Sequence, residues 1–214
     1  MSDTFAQLHE ETYNSLASDY ERRVETYRQV TTKALTPFIN RLPQSGRVLD
    51  IGCAVGYTVE IMNSHGIVAE GIDISPAMIE FARRRNPDTR LVVGDFLDMD
   101  YDNESFDGAL LYAFIHLFPK DVALACVRKV VDILKPGGLM FVGTTKSVAS
   151  SECFEEKLDY GSIAKRFRKR WTQEEIEAMF EATGLEIVHY EDNEDEFGKV
   201  WMDYVLRKSS HGDS

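Results

Sequence analysis

The chain has 214 residues, of which 43% are hydrophobic and 28% are charged, and its formal net charge is −12 at pH 7. This length fits one α/β domain with a modest cap. The acidic balance argues against a general nucleic-acid binder, which needs a basic surface to meet phosphates. The three cysteines, Cys53, Cys126 and Cys153, show no metal-ligand spacing and favour a reducing compartment.

The N-terminus lacks the basic start and apolar core of a signal peptide, and the sequence contains no apolar run long enough for a membrane span. We therefore expect a cytoplasmic protein, a monomer or homodimer, that binds no metal, no membrane and no nucleic acid.

The predicted elements fall into two parts along the chain. Apolar periodicity predicts helices over 10–24 and 30–42, and a break follows at 43–46. Short apolar strands then alternate with helices, which predicts a doubly wound parallel sheet covered on both faces. The predicted strands are 47–51, 67–72, 91–93, 108–112, 139–144, 185–190 and 200–206. Residues 146–170 are predicted to be irregular.

Acidic residues lie at or just beyond the carboxyl ends of the first three predicted strands, at Asp50, Asp73 and Asp95. Ligands of a doubly wound sheet bind beyond the carboxyl ends of its strands, so these residues predict a ligand site. A carboxylate at the entrance of the glycine-containing loop favours a cationic ligand over a pyrophosphate. The G-x-G-x-x-G fingerprint of dinucleotide binding is also absent, because Ala54 and Tyr57 stand where glycines are needed.

Several segments together resemble class I S-adenosylmethionine-dependent methyltransferases. Residues 48–56, VLDIGCAVG, resemble their first motif, and GIDIS at 71–75 resembles their ribose-binding segment. GDF at 94–96 resembles the adenine-contacting segment, FDGAL at 106–110 the fourth strand, and LKPGGL at 134–139 the turn into the fifth. The resemblance is to small-molecule enzymes of the ubiquinone/menaquinone-biosynthesis-like superfamily.

The resemblance implies an α/β, Rossmann-like, doubly wound seven-stranded sheet. Its strand order would be 3-2-1-4-5-7-6, with the last strand antiparallel, and an N-terminal helical lid would cover it. Residues 1–45 would form this lid and residues 46–208 the methyltransferase domain. Residues 146–170 would be a substrate-side insertion, and 209–214 a frayed tail.

The resemblance also assigns the cofactor, S-adenosylmethionine, which becomes S-adenosylhomocysteine. Asp50 would hold the ammonium group, Asp73 the ribose hydroxyls and Asp95 the adenine amino group. The full set of expected cofactor-binding residues is Tyr20, Asp50, Gly52, Cys53, Gly56, Asp73, Ile74, Met78, Asp95, Phe96 and Leu111. Ala54 departs from the usual glycine of this motif, and we expect its backbone to avoid positive φ, where alanine is strained by about 1–2 kcal/mol.

Methyl transfer is an in-line displacement, so a general base is needed only for an acceptor that must lose a proton. His116 is the candidate base, and its alternative is a histidine packed at the start of the following helix. The candidate acceptor-site residues are Tyr13, Tyr112, His116 and Tyr160. Tyr13 and Tyr20 lie seven residues apart, so they either roof the pocket or pack within the lid.

The segment KRFRKR at 165–170 is a basic cluster in an acidic chain. It would attract an anionic substrate or nucleic acid, or it is a solvated face before the next helix. After the fourth strand the sequence lacks the Asn/Asp-Pro-Pro-aromatic motif of adenine amino methylation, and it has no Pro-Cys nucleophile for cytosine methylation.

These observations favour transfer of a methyl group to an O or N atom of a small-molecule metabolite, with C-methylation as a further route. The alternatives are a non-catalytic or regulatory S-adenosylmethionine-binding protein, or a methyltransferase that acts on nucleic acid or protein.

Overall fold

The computed structural model describes residues 3–157, 164–195 and 198–209. The chain begins with two helices, α1 (Asp3–Arg22) and α2 (Val24–Ile39), which are separated at Arg23. Both were expected, but α1 starts well before residue 10, and α2 runs through Pro37. The apolar side of α2 is buried, and its Phe38 reaches the central sheet against Phe141.

Seven strands form the central sheet in the order β3-β2-β1-β4-β5-β9-β8. The first five, which are mutually parallel, are β1 (Arg47–Ile51), β2 (Val68–Asp73), β3 (Leu91–Val93), β4 (Phe106–Tyr112) and β5 (Leu134–Thr145). The last two strands of the chain are β8 (Leu185–Glu194) and β9 (Val200–Lys208), and β9 is antiparallel to both its neighbours. The predicted fold class and strand order, with an antiparallel last strand, are confirmed.

Helices cover both faces of this sheet and give it two apolar layers. The remaining helices are α3 (Tyr57–Ser64), α4 (Pro76–Arg85), α5 (Lys120–Ile133) and α6 (Gln173–Ala182). Val48 packs in the layer with α2, α3 and α4, whereas its neighbour Leu49 packs in the layer with α5 and α6. Successive strand side chains point to opposite faces, so a strand buried on both sides reads as a continuous apolar run.

Residues 146–170 are not irregular, which corrects the prediction. They contain a two-stranded antiparallel hairpin of β6 (Ser151–Lys157) and β7 (Ala164–Arg170). Acidic and basic side chains face each other across the hairpin, as in the 2.8 Å ion pair between Glu155 and Arg166. Such cross-strand pairs stabilise a strand pairing without an apolar run, which is why the polar sequence concealed it.

The hairpin lies against α1. The ring of Phe167 packs on Phe5, with ring centroids 5.4 Å apart, and Thr12 donates a 2.8 Å hydrogen bond to the Lys165 carbonyl. Within the described residues, none of the helices combines the length and the apolar character needed to cross a bilayer. The domain boundaries at 45/46 and 208/209 stay predictions.

Candidate active site

A cavity opens at the carboxyl ends of β1, β2 and β4 and is covered by α1. Its empty volume, counted out into the open mouth, is about 930 Å³. Its walls are formed by His9, Tyr13, Tyr20, Asp50–Ala54, Tyr57, Thr58, Ile72–Ile74, Gly94–Phe96, Tyr112–Phe114, Leu117 and Phe118. The cavity therefore lies where a doubly wound sheet binds its ligands.

The loop after β1 turns with left-handed backbone conformations. Gly52 has φ = 76°, and a Cβ at this position would stand 2.6 Å from the Phe114 ring, so the close approach requires glycine. Ala54 has φ = 46°, which corrects the expectation that its backbone avoids the left-handed region. Ala113, on the opposite wall, also has a positive φ of 55°. Strained residues of this kind persist only where the surrounding structure holds them.

Asp50 is almost fully buried at the end of β1, with 2% of its surface exposed. Thr58, the second residue of α3, donates a hydrogen bond to its Oδ2. Burial raises the pKa of Asp50 to about 7, since desolvation and the nearby Asp73 charge outweigh the Thr58 hydrogen bond. Asp50 therefore lacks a positive partner within the described chain, and a cationic ligand would supply one.

Asp73, at the end of β2, holds two backbone segments together. Its Oδ2 accepts a 2.9 Å hydrogen bond from the Ala54 N–H, and its Oδ1 accepts one of 2.9 Å from Ser75. Burial raises the pKa of Asp73 to about 6 despite these hydrogen bonds. Each carboxylate oxygen can accept more than one hydrogen bond, so acceptor capacity remains for a ligand hydroxyl.

Asp95 follows β3 and caps a short 3₁₀ helix, Phe96–Asp98, by accepting a 3.0 Å hydrogen bond from the Leu97 N–H at its Oδ1. Its Oδ2 is buried and has no hydrogen-bond partner among the described residues. Burial also raises the pKa of Asp95. An unpaired buried acceptor is costly, so this oxygen is suited to accept a hydrogen bond from a bound ligand.

The structure brings most of the predicted cofactor residues to the cavity wall. Those at the wall are Tyr20, Asp50, Gly52, Cys53, Asp73, Ile74, Asp95 and Phe96. Gly56, Met78 and Leu111 are not at the wall. Gly56 instead begins α3 with φ = 75° and packs against Ala82 and Asn86 of α4, and Met78 and Leu111 are fully buried among apolar side chains. The ligand roles of all these residues stay predictions.

The acceptor-site predictions divide in the same way. Tyr13 and Tyr112 line the cavity, and Tyr160 lies outside the described residues. His116 does not line it. This histidine is 3% exposed in the 3₁₀ helix Ile115–Leu117, its Nδ1 lies 3.0 Å from the Thr144 hydroxyl, and its ring meets Trp201 edge-on. The structure thus places His116 in the packed interior beside β5.

Sequence reasoning missed two titratable residues of the cavity, Tyr57 and, on α1, His9. His9 lies on the same face of α1 as Tyr13 and Tyr20, and the signal for it was the helical spacing of these three residues. The predicted helix began at residue 10, which left His9 outside the pattern. The apolar wall of Phe114, Leu117 and Phe118 was also missed as a cavity wall.

The basic cluster 165–170 is largely neutralised within the chain. Arg166 and Arg170 pair with Glu155 at 2.8 and 2.9 Å, and the buried Lys169 pairs with Glu175 at 2.8 Å. This overturns its interpretation as a solvated face. Arg166 also hydrogen-bonds Tyr13 of the cavity, so the cluster connects the hairpin to α1.

Comparison with known proteins agrees with this architecture. A family model described as a methyltransferase domain matches residues 48–138, the segment that contains the three strand-end aspartates. The sterol 24-C-methyltransferase of Debaryomyces hansenii is 28% identical over 197 residues, covering 85% of this chain and 51% of that protein. The tRNA (carboxymethyluridine(34)-5-O)-methyltransferase of Saccharomyces cerevisiae is 29% identical over 127 residues, covering 59% of this chain and 43% of that protein.

This chain spans about half the length of these two curated relatives. Among solved structures, the Burkholderia thailandensis 1,6-didemethyltoxoflavin-N1-methyltransferase, bound to 1,6-didemethyltoxoflavin and S-adenosylhomocysteine, superposes with a TM-score of 0.66. It is 20% identical, and the match covers 91% of this chain and 87% of that one.

Residues 48–138 therefore resemble a methyltransferase domain, and the chain has the fold of class I S-adenosylmethionine-dependent methyltransferases. The fold predicted from the sequence is confirmed, and the domain match agrees with the predicted family and enzyme class.

Proposed function

We propose that this chain transfers a methyl group from S-adenosylmethionine to an O or N atom of a small molecule. The observation that carries the proposal is a single cavity that joins three strand-end carboxylates, Asp50, Asp73 and Asp95, to an apolar aromatic wall. The carboxylates suit a cationic nucleoside, and the aromatic wall suits an organic acceptor.

Each carboxylate has free capacity that matches one part of the methyl donor. Asp95 has a buried Oδ2 with no partner in the described chain, which suits the adenine amino group. Asp73 has spare lone pairs for the ribose hydroxyls. Asp50 is buried without a positive partner in the described chain, which suits the ammonium group, directly or through water. The residues present therefore fit this cofactor.

S-Adenosylmethionine supplies a methyl group that its sulfonium already activates. The protein's contribution is to hold the two reactants in line and to exclude water. Phe114 approaches the loop after β1 at Gly52, and Phe118 packs on Phe114 with ring centroids 4.8 Å apart. These rings close one side of the cavity, where an acceptor would lie.

A small acceptor is favoured over nucleic acid by two features. Helix α1 and its residues Tyr13 and Tyr20 cover the cavity, so an acceptor must fit beneath this helix. The basic cluster 165–170, which would have to meet phosphates, is paired with Glu155 and Glu175. The relatives act, by name, on a sterol and on a tRNA, so nucleic acid remains the alternative acceptor to include in the test.

The test has a binding step and a transfer step. We expect S-adenosylmethionine to bind in calorimetry, and we expect Asp73→Ala to weaken it by about tenfold to a hundredfold, as for the loss of hydrogen bonds to a charged group. Asp88→Ala, at an exposed position away from the cavity, should bind like the wild type. Failure of the wild type to bind would refute the proposal.

Mass spectrometry would then detect S-adenosylhomocysteine and methylated product with panels of phenols, heteroaromatic N–H compounds, amines and total tRNA. Product from the small molecules supports the proposal. Product from tRNA alone would assign the acceptor to nucleic acid instead. Binding without any transfer would indicate a regulatory S-adenosylmethionine-binding protein.

A further inference from the structure

His9 is the one histidine of the described chain that lines the cavity. It is 3% exposed, and its Nε2 is buried with no hydrogen-bond partner among residues 3–157, 164–195 and 198–209. Leaving a buried ring nitrogen unpaired costs free energy, so its presence at the cavity wall calls for a partner that arrives with the ligand.

The Leu117 backbone interacts with the imidazole in the sense that favours its N–H. Because Nε2 has no hydrogen-bond partner among the described residues, we assign this N–H to Nδ1. A proton on Nδ1 leaves the lone pair on Nε2 in the neutral ring. Burial lowers the pKa of His9 to about 4, so the ring is neutral near pH 7. The tautomer is therefore the one that accepts a proton at Nε2.

Aromatic contacts place His9 beside the acceptor wall. Its ring lies 5.0 Å from that of Phe118, centroid to centroid, and it is stacked with Tyr13 at 6.0 Å. Phe118 in turn contacts Phe114, which covers Gly52 of the loop after β1. His9 thus stands two aromatic rings away from the proposed donor loop, on the side where the acceptor would enter.

We propose that His9, and not His116, is the catalytic residue that receives the proton of the acceptor, and that the acceptor is an aromatic compound with an acidic O–H or N–H at the methylated atom. This inference rests on the proposed methyl transfer. In the step, the O or N lone pair forms a bond to the methyl carbon as the S–CH₃ bond breaks and its electrons return to sulfur. The proton from O–H or N–H passes to Nε2 and later to water.

The charge balance of this step is favourable. The sulfonium loses its positive charge as the imidazolium gains one, so the net charge of the cavity does not change. The class of acceptor follows from the weakness of the base. A desolvated histidine is poorly matched to an aliphatic alcohol, whereas a phenol or an acidic heteroaromatic N–H is far more acidic than such an alcohol. Such rings would also pack well between Tyr13, Phe114 and Phe118.

The first experiment reads the tautomer directly and needs no acceptor. Two-bond ¹H–¹⁵N spectra of ¹⁵N-histidine-labelled protein would be recorded near pH 7, alone and with S-adenosylhomocysteine, and His9→Gln would assign the signal. We expect a neutral ring protonated at Nδ1, with Nε2 free. A ring protonated at Nε2, or a charged ring, would overturn the proposal.

The second experiment measures transfer to the phenol or heteroaromatic probe that gives most product. We expect His9→Phe, which keeps the ring packing, to lower kcat/KM by about a hundredfold to ten-thousandfold. Binding of S-adenosylmethionine should stay within a few-fold of the wild type. His65→Gln, an exposed histidine at the end of α3, is the matched control and should transfer normally.

Added imidazole should restore part of the rate to His9→Ala, which a purely structural role would not allow. Normal transfer by a folded His9→Phe, or lost transfer without imidazole rescue in a folded His9→Ala, would overturn the assignment. If the wild type binds S-adenosylmethionine but methylates only aliphatic amines or tRNA, the acceptor class is wrong. If it does not bind the donor at all, the failure lies with the proposed function.

Discussion

The backbone N–H of Ala54 donates a 2.9 Å hydrogen bond to Oδ2 of Asp73, which ties the turn after β1 to the end of β2. This bond forms while Ala54 is in the left-handed region, at φ = 46°. The carboxylate therefore does two things in the same place. It holds a strained loop in shape, and it presents its remaining lone pairs to the cavity.

Replacing Ala54 by glycine should relieve that strain. The left-handed conformation costs alanine about 1–2 kcal/mol, and the greater unfolded-state freedom of glycine takes back about 0.4–1 kcal/mol. We expect Ala54→Gly to stabilise the protein by roughly 0.5–1 kcal/mol in urea unfolding, with donor affinity unchanged or improved. Ala54→Val should destabilise it. A less stable glycine variant would show that the alanine methyl contributes more by packing than it costs in strain.

Asp50 should reduce the stability of the ligand-free protein. Its folded pKa of about 7 lies above the ordinary value of 3.8 for an aspartate, so the folded state binds an extra proton between these two pH values. The contribution of Asp50 to stability is therefore greatest below about pH 4 and is lost as the pH rises through about 7.

We expect Asp50→Asn to raise the free energy of unfolding by about 1–3 kcal/mol near pH 8, and Tm by roughly 2–4 °C per kcal/mol. The difference should shrink as the pH falls and vanish below about pH 4, where the carboxyl is protonated in both the folded and the unfolded state. The same variant should bind S-adenosylmethionine more weakly. A variant that is less stable than the wild type at both pH values would contradict this account.

Donor binding should depend on pH through the same carboxyls. A cationic donor prefers Asp50 and Asp73 ionised, and their pKa values are about 7 and 6. The affinity for S-adenosylmethionine should be constant above about pH 8 and fall by up to about tenfold per pH unit below 7, more steeply below 6. Calorimetry across this range would measure it. Asp50→Asn should remove the decrease in affinity near pH 7. An unchanged pH profile in that variant would exclude Asp50 as the group responsible for this decrease.

The sheet could be predicted from the sequence because the patterns that mark each strand are local in the chain. The apolar run into Asp50 and the acidic residues after the next two strands fix the strand ends and hence the edge at which the cavity forms. Ser75 accepts a hydrogen bond from the Met78 N–H and is the N-cap of α4, a position that serine favours.

The acceptor side could not be predicted in the same way, because it depends on long-range packing. The hairpin β6–β7 is held by paired charges and by contact with α1, neither of which gives an apolar pattern. His116 and His9 look equally plausible as isolated histidines. Only the folded chain shows that one packs beside Thr144 and the other lines the cavity.

Gly56 shows how the loop after β1 is supported on the side that faces away from the cavity, where it packs against α4. It does not line the cavity, but a Cβ added there would stand 2.8 Å from the Ala82 Cβ and 2.9 Å from Nδ2 of Asn86, which donates a hydrogen bond to the Gly56 carbonyl. Its φ is 75°. Gly66 offers a matched control, because its φ is 80° and a Cβ there would meet nothing within 4 Å.

We expect Gly66→Ala to cost about 1 kcal/mol, from backbone strain alone. Gly56→Ala should cost about 2–4 kcal/mol, because overpacking against α4 adds to the same strain. It should also weaken binding of S-adenosylmethionine, since α4 and the loop after β1 must separate. Urea unfolding and calorimetry on both variants would measure these effects. If the two variants lose equal stability, α4 can move away from the added methyl group at no cost in free energy. The close contact at Gly56 would then not be what holds the loop after β1.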